Sequence, residues 1–244
     1  MSDVLKKVLQ DAKEALDSDE RFLVIFDLDS TLYEVKERQR KILQQFAENS
    51  EFTAKWPEQT TRLRKINLQS KDFGINEALK RIGFSFENDK EFLTDVMKHW
   101  EHWFFHNEFL KHDEPMPGAV EFVRAIESLD ADIMYLTGRD VPRMFDGTRE
   151  SLAKTGFPVD GDHIQINLKP DTGIEDADFK TSVIKKIQRG YHKVWLFENE
   201  PVIINAVARS SPDVNIVFLD TCHSGREVLG KTIHTIPNFV LSRD

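Results

Sequence analysis

The stretch that decides the fold is residues 21–32, RFLVIFDLDSTL, which joins an apolar run to a pair of acids. Five consecutive apolar residues, 22–26, rich in aromatic and β-branched types, predict a strand buried on both faces, as in a parallel sheet. Asp27 and Asp29 follow directly, where two close carboxylates repel each other and desolvation favours protonation of at least one. A bound cation, or a division of roles between nucleophile and acid, would remove this conflict.

The position of the two acids indicates a function. Open α/β sheets bind their ligands at the carboxyl ends of their strands, which is where Asp27 and Asp29 lie. The structural alternative is that residues 29–31 form an Asx turn or a helix cap. The sequence FDLDSTL resembles the first motif of the haloacid dehalogenase-like (HAD) hydrolase superfamily, an apolar strand followed by DxDx[TV].

Composition limits the classes of partner. The 244 residues are 40% hydrophobic and 31% charged, with a formal net charge of -9. Such an acidic protein is not expected to bind nucleic acid or anionic membranes non-specifically. The N-terminal residues 3–17 have the spacing of an amphipathic helix and no signal-peptide core, and Cys222 is the only cysteine. We therefore expect a cytoplasmic protein without an intrachain disulfide, and its oligomeric state is left open.

Four further apolar runs predict strands at residues 131–136, 163–168, 193–197 and 214–219. Helical patterns lie between them, at residues 119–129 and 142–155 and in the segment that begins near Lys180. Strands that alternate with helices predict a doubly wound, Rossmann-like α/β core with a parallel sheet.

A block between the first and second strands has a different texture. Residues 34–113 contain charged amphipathic patterns without a clear strand, and helices are predicted at residues 36–47, 56–70, 75–82 and 88–108. We therefore expect an α/β core from residues 1–33 and 114–244, with an inserted all-helical subdomain at 34–113. In the HAD resemblance, an insertion at this point is a helical cap of the C1 type, which closes over the active site and supplies much of the substrate specificity.

Within this block, His99, His102 and His106 could share one helix face. The spacing of His102 and His106 is that of a metal-binding pair, but the sequence sets no third ligand. The favoured interpretation is that the aromatic residues of the stretch 99–109 pack against the core, with the histidines at the rim. A substrate-facing role for one His or Trp comes second.

Polar residues at the ends of two later segments suggest a phosphate site. Thr137 and Gly138 follow the second core strand, where a hydroxyl and free backbone N–H groups can bind an oxyanion, although Thr137 could also simply cap a turn. LTGR resembles the second HAD motif. A phosphoryl-transfer site also needs a cation. Lys180, at the head of a helix, fits the third motif better than the alternative, Lys169.

An acidic cluster after the fourth strand predicts a metal site. Glu198, Asn199 and Glu200 stand where the family's fourth motif carries an acidic pair that completes an octahedral Mg²⁺ site with the first motif. Asn199 departs from that pattern, because many members have Asp there and an amide oxygen adds no charge. Asn199 could equally be a helix N-cap before Pro201.

Gly225–Thr232 matches the P-loop pattern GxxxxGK[ST]. Only residues 233–244 follow it, too few for the helix and sheet that a P-loop nucleotide site requires. The residues between the glycines also have the pattern of a helical turn, so we do not favour nucleotide binding here.

Taken together, the four motifs imply a Mg²⁺-dependent phosphohydrolase acting on a small phosphorylated metabolite. In this resemblance Asp27 is the nucleophile that forms an aspartyl-phosphate, and Asp29 is the acid and base. Thr137, Gly138 and Lys180 bind the phosphoryl group, and Asp27, Asp29, Glu198 and Asn199 hold the metal. The alternatives are a phosphomutase or phosphotransferase that uses the same residues, and a non-catalytic phospholigand-binding protein with a weakened metal site.

Overall fold

The computed structural model describes residues 3–230 and 233–241. Its core is a six-stranded parallel sheet in the order β5-β4-β1-β6-β7-β8, and a separate two-stranded ribbon is formed by β2 and β3. In chain order the strands are β1 (Phe22–Phe26), β2 (Tyr33–Glu34), β3 (Glu114–Pro115), β4 (Asp132–Asp140), β5 (Ile164–Lys169), β6 (Lys193–Glu198), β7 (Asn215–Leu219) and β8 (His234–Ile236).

Helices cover the sheet and fill the segment between β2 and β3. They are α1 (Asp3–Asp17), α2 (Lys36–Glu48), α3 (Ser50–Lys55), α4 (Pro57–Leu63), α5 (Asn76–Arg81), α6 (Lys90–Phe104), α7 (Ala119–Glu127), α8 (Val141–Thr155), α9 (Asp176–Ile187) and α10 (Pro201–Ser210). Two short 3₁₀ segments span Asn107–His112 and Gln188–Gly190. None of these described helices combines the length and apolar character needed to cross a membrane.

The central strand β1 is buried on both faces because its alternate side chains enter two different hydrophobic clusters. Phe22, Val24 and Phe26 pack with residues of α1 and α7, whereas Leu23 and Ile25 pack with residues of α9 and α10. All five residues of the strand are buried. The predicted α/β core, with helices on both faces of a parallel sheet, is therefore confirmed.

The segment from α2 to α6 has a hydrophobic cluster of its own. Phe46, Phe92, Leu93 and Val96 are buried there. β2 and β3 pair antiparallel, so the chain enters and leaves this segment side by side. The helical content agrees with the sequence pattern, while the division at residues 34 and 113 remains a prediction.

Two helices are shorter than predicted. The helix expected at 56–70 ends at Leu63, and Asp72 in the loop that follows pairs with Arg81. The helix expected at 88–108 ends at Phe104, because His106 adopts an extended backbone conformation and its Nδ1 accepts a hydrogen bond from the N–H of Glu108. In this second case a local side-chain hydrogen bond competes with the periodic pattern.

β8, a three-residue strand that pairs with β7 at the edge of the sheet, was not predicted from the sequence. The prediction of a helical turn after Gly225 is wrong, because residues 223–230 form neither helix nor strand. Lys231 and Thr232 of the P-loop pattern lie outside the described residues. The element described after that pattern is β8 rather than the helix that a nucleotide-binding loop requires.

The aromatic cluster beneath the sheet predicts a measurable stability effect. Phe122 on α7 is buried and contacts the rings of Phe26, Phe197 and Phe239. We expect Phe122→Ala to lower the free energy of unfolding by about 3–5 kcal/mol, because it removes buried apolar surface and leaves a cavity. Urea unfolding measures this change. Phe86→Ala, at an exposed position, is the matched control and is expected to change stability by less than about 0.5 kcal/mol; equal losses would contradict the packing described here.

Candidate active site

Asp27 and Asp29 lie in a tight loop at the carboxyl end of the central strand. The Asp27 N–H donates to the carbonyl of Phe197 on β6, which extends the sheet pairing by one residue. Ser30 has a left-handed backbone with φ 63°, and Thr31 N–H donates to the carbonyl of Leu28 at 3.1 Å. The loop therefore holds both carboxylates at the carboxyl end of the central strand, as predicted from the sequence.

Lys180 on α9 links two buried carboxylates. Its Nζ donates to Asp27 Oδ1 at 2.5 Å and to Glu198 Oε2 at 2.7 Å. Burial, reinforced by the Glu198 carboxylate, raises the pKa of Asp27 to about 7. Although burial opposes its charge, Asp27 and Glu198 together raise the pKa of Lys180 above its usual value. One ammonium is thus shared by two acids, and their joint charge is only partly balanced.

Lys169, the alternative lysine, is engaged elsewhere. Its Nζ donates to the Asp176 carboxylate at 2.7 Å and to the carbonyl of Ile174 at 3.0 Å. Of the two candidates, Lys180 is therefore the one that contacts Asp27.

Thr137 and Gly138 lie at the end of β4, the strand next to β1. Thr137 is buried, and its hydroxyl oxygen accepts a hydrogen bond from the N–H of Arg139. A Cβ at Gly138 would come within 2.2 Å of the Asp176 carboxylate, so a side chain there would displace that carboxylate. Both residues line the same cavity as Asp27.

The Asp29 carboxylate is held by two buried arginines. Arg38 on α2 pairs with Oδ1, while Arg139 donates to Oδ1 at 2.7 Å and to Oδ2 at 3.1 Å. Both guanidinium groups also pair with the buried Asp113, at 2.9 and 2.7 Å. Although burial opposes its charge, the arginines hold the pKa of Asp29 well below its usual range. Burial raises the pKa of Asp113 to about 6, so Asp29 is the more firmly ionised of the two.

Three residues of the site, Arg38, Arg139 and Asp113, were not predicted from the sequence. Arg139 belongs to the quoted LTGR, so a polar residue directly after the phosphate motif was a visible signal. Arg38 lies in a highly charged stretch of α2, where a buried arginine has the same appearance as its exposed neighbours. Asp113 carries no local signal.

The three polar residues after β6 have different environments. Glu198 Oε1 accepts hydrogen bonds from the N–H groups of Asn199 and Glu200, both at 2.9 Å. The Asn199 amide accepts from the Thr31 hydroxyl and donates to the carbonyl of Cys222. Glu200 caps α10 and accepts from both the N–H and the hydroxyl of Ser224. Glu198 is therefore the acid beside Asp27, whereas the other two brace the surrounding loops.

The donor set suits a hard cation only in part of the predicted site. Among residues 3–230 and 233–241, no group of three or more His, Cys, Asp and Glu side chains is arranged to hold a metal. The Asp27 and Glu198 carboxylates nevertheless offer hard oxygen ligands, and their two negative charges exceed the single charge of Lys180. The Asp29 carboxylate is paired with two arginines, and the Asn199 amide oxygen accepts one hydrogen bond, from the Thr31 hydroxyl, so a metal would compete with these partners.

The histidine face is mainly aromatic packing. The ring of His99 meets Phe46 and Phe52 edge to face, and burial lowers its pKa to about 4. The rings of His102 and His106 stack at 5.9 Å, while His106 Nδ1 is used in the cap of the following 3₁₀ segment. In the part of the chain that the structure describes, no third ligand joins this pair.

The residues predicted to act in catalysis, phosphate binding and metal binding all line one cavity of about 450 Å³. One side is polar and is formed at the carboxyl ends of the strands by Asp27 and Thr137, together with Lys180. The other side comes from the helical segment between β2 and β3 and includes Met97 and Trp100. A small ligand in this cavity would contact both parts of the chain.

The comparisons with known proteins identify the family. The model of the haloacid dehalogenase-like hydrolase family matches residues 23–210. No curated protein matches the sequence.

Several solved structures share the fold. Protein Tyrosine Kinase A (PtkA) of Mycobacterium tuberculosis has a TM-score of 0.55 at 12% identity, covering 89% of this chain and 94% of that one. YfnB of Bacillus subtilis, a proposed HAD-hydrolase bound to magnesium, has a TM-score of 0.52 at 13% identity, covering 90% and 95%. A proposed phosphatase of Clostridium difficile has a TM-score of 0.50 at 13% identity, covering 82% and 85%.

At these identities the structural likeness concerns the fold, whereas the family model spans most of the chain and includes β1, β4, β6 and α9, which carry the site. The chain belongs to the haloacid dehalogenase-like hydrolase family.

Proposed function

We propose that the protein is a Mg²⁺-dependent phosphohydrolase of small phosphate monoesters, with Asp27 as the nucleophile. The observation that carries this proposal is the Asp27–Lys180–Glu198 arrangement at the end of the central strand, opening into a cavity with Thr137 and Gly138. A buried carboxylate fixed by one oxygen to a lysine suits attack on phosphorus.

The first half of the reaction forms a bond from Asp27 to phosphorus. Lys180 binds Asp27 Oδ1, and no hydrogen bond to Oδ2 is found among the described residues, so Oδ2 is the oxygen we expect to attack. As the Oδ2–P bond forms, the bond from phosphorus to the ester oxygen breaks and the alcohol leaves. The Lys180 ammonium, the Thr137 hydroxyl and the Gly138 N–H are suited to bind the phosphoryl oxygens.

The second half regenerates the enzyme. Water attacks phosphorus, the Oδ2–P bond breaks and inorganic phosphate leaves. The ionised Asp29 is suited to take the proton of this water. Its arginine pairs oppose the complementary step of protonating the ester oxygen, so that step requires Asp29 to gain a proton first. Esters whose alcohol leaves without protonation should therefore be the most reliable probes of the first half.

Asp27 and Glu198, with the main-chain carbonyl of Asp29, would hold the Mg²⁺ ion. The ion would supply positive charge to the phosphoryl oxygens and offset the excess charge of the two acids. The departure at Asn199 was the feature that favoured a non-catalytic protein. Asn199 hydrogen-bonds Thr31 and the chain at Cys222. Glu198 keeps an acid beside Asp27, and this acid supports the hydrolase proposal.

Removing the nucleophile should abolish turnover. We expect Asp27→Asn to lower the rate of p-nitrophenyl phosphate hydrolysis in Mg²⁺ by at least about a thousandfold, because an amide cannot form the phosphoryl intermediate. EDTA should abolish wild-type activity to the same extent. Steady-state assays with and without Mg²⁺ test both effects, and EDTA-resistant activity, or an active variant, would exclude this mechanism.

Replacing the shared lysine should affect both activity and stability. Lys180→Met leaves the buried Asp27 and Glu198 without their counterion. We therefore expect the free energy of unfolding to fall by about 3–5 kcal/mol. Hydrolysis should be lost as well. The matched control is Lys169→Met, which should keep activity within a few-fold of wild type. If Lys169→Met were the inactive variant instead, the assignment of Lys180 would be wrong.

The two halves of the reaction can be separated at Asp29. In Asp29→Asn, p-nitrophenol should still be released in an initial burst of about one equivalent per enzyme, because this leaving group needs no proton. The subsequent steady state should be slow, since the base for water attack is missing. Rapid-mixing absorbance measures both phases. Absence of a burst in a folded variant would argue against the division of roles proposed for Asp29.

A further inference from the structure

The helical side of the cavity is an apolar wall. Aromatic and aliphatic side chains from the segment between β2 and β3 line it, namely Phe73, Ile75, Met97, Trp100, Phe104 and Phe105. Trp100 stacks on Phe104 with ring centroids 4.7 Å apart, and Phe105 meets Phe104 edge to face at 5.1 Å. The wall therefore presents a largely apolar surface to the cavity, with Gln39 and Asn76 as the polar residues that this segment adds to the lining.

Phe73 keeps more than half of its apolar surface exposed in the folded protein. Its side chain is 56% exposed although it lines the cavity. The adjacent backbone is anchored, because Asp72 pairs with Arg81 and its carbonyl accepts a hydrogen bond from the Cys222 thiol. A large exposed apolar side chain on an anchored loop at a cavity is typical of a binding surface.

The cavity offers no spare positive charge. Among the described residues, its only cationic lining residues are Arg139 and Lys180. Lys180 is used by Asp27 and Glu198, and Arg139 by Asp29 and Asp113. Of the two further acids of the lining, Asp176 pairs with Lys169, whereas Glu200 has no basic partner among the described residues.

The neighbouring Arg38 is also committed. It is fully buried, pairs with Asp29 and Asp113, and its guanidinium lies over the Phe104 ring at 4.2 Å. A second carboxylate or phosphate on the substrate would thus enter an apolar, negatively charged space without a counterion, which is costly.

We infer that the substrate is a phosphate monoester whose alcohol part is apolar, ring-sized and free of any anionic group of its own. This inference rests on the proposed phosphohydrolase function and specifies its substrate class. The phosphoryl group lies beside Asp27 at the carboxyl ends of the strands, and the alcohol part packs on the wall that includes Phe73, Trp100 and Phe104.

A set of three esters tests the substrate class. Benzyl phosphate, 4-carboxybenzyl phosphate and ethyl phosphate release alcohols that all need protonation, so their kcat/KM values chiefly compare contacts with the wall. We expect benzyl phosphate to exceed each of the other two by at least about tenfold. Comparable values for all three, in an enzyme that hydrolyses them, would overturn the inferred class and leave the phosphohydrolase proposal intact.

A charge placed in the wall should redirect the preference. In Phe73→Lys, kcat/KM should fall for benzyl phosphate and rise for 4-carboxybenzyl phosphate, by about tenfold each, with ethyl phosphate little changed. Phe86→Lys is the matched control, because Phe86 is 55% exposed and does not line the cavity. An identical response of the two variants would overturn the role of Phe73.

Binding without turnover separates the two proposals. Calorimetry on Asp27→Asn with Mg²⁺ should show tighter binding of benzylphosphonate than of 4-carboxybenzylphosphonate. Equal affinities would overturn the inferred class. If no ester is hydrolysed by the wild type, while the variant still prefers benzylphosphonate, the hydrolase proposal fails and the apolar site stands as a binding site.

Discussion

Burying charge requires compensation, and the site is built around that constraint. An isolated ion inside a protein costs several kcal/mol, which only close counterions and hydrogen bonds can offset. Lys180 offsets part of this cost for Asp27 and Glu198, and Arg139 with Arg38 does so for Asp29. These residues come from different strands and helices, so the charges balance only when the sheet, α9 and α2 are all in place.

Arg38 connects the two halves of the cavity. It belongs to α2 in the helical segment, yet it pairs with Asp29 in the loop after the central strand. The same guanidinium lies over the Phe104 ring of the apolar wall. One buried side chain therefore joins the acids that follow the central strand to the apolar wall, which would contact the alcohol part of a substrate.

Much of the core was predictable from local sequence. The run at residues 22–26 is continuous because both faces of β1 are buried, and the acids after it lie where ligands bind in such sheets. Lys180 could be preferred over Lys169 only from its expected place at a helix start, although α9 begins four residues earlier, at Asp176. The contact with Asp27, 153 residues away in the chain, is a tertiary fact that no local pattern contains.

What the sequence did not reveal has specific physical causes. Arg38 is buried with its partners Asp29 and Asp113, and Asp113 with its partners Arg38 and Arg139. Sequence alone cannot distinguish a paired buried charge from an exposed one. β8 is too short to show a strand pattern and depends on its pairing with β7. α6 ends early because the His106 side chain caps the next segment, which competes with the helical periodicity.

The central claim is that Asp27 becomes covalently phosphorylated. The most direct measurement is to mix the wild-type protein with p-nitrophenyl phosphate and Mg²⁺, quench with acid during the first turnover and map the peptides by mass spectrometry. The account predicts one phosphoryl group on the Asp27 side chain, which disappears as the substrate is exhausted. Turnover without any phosphorylated protein at these times, or a phosphoryl group on another residue, would contradict it.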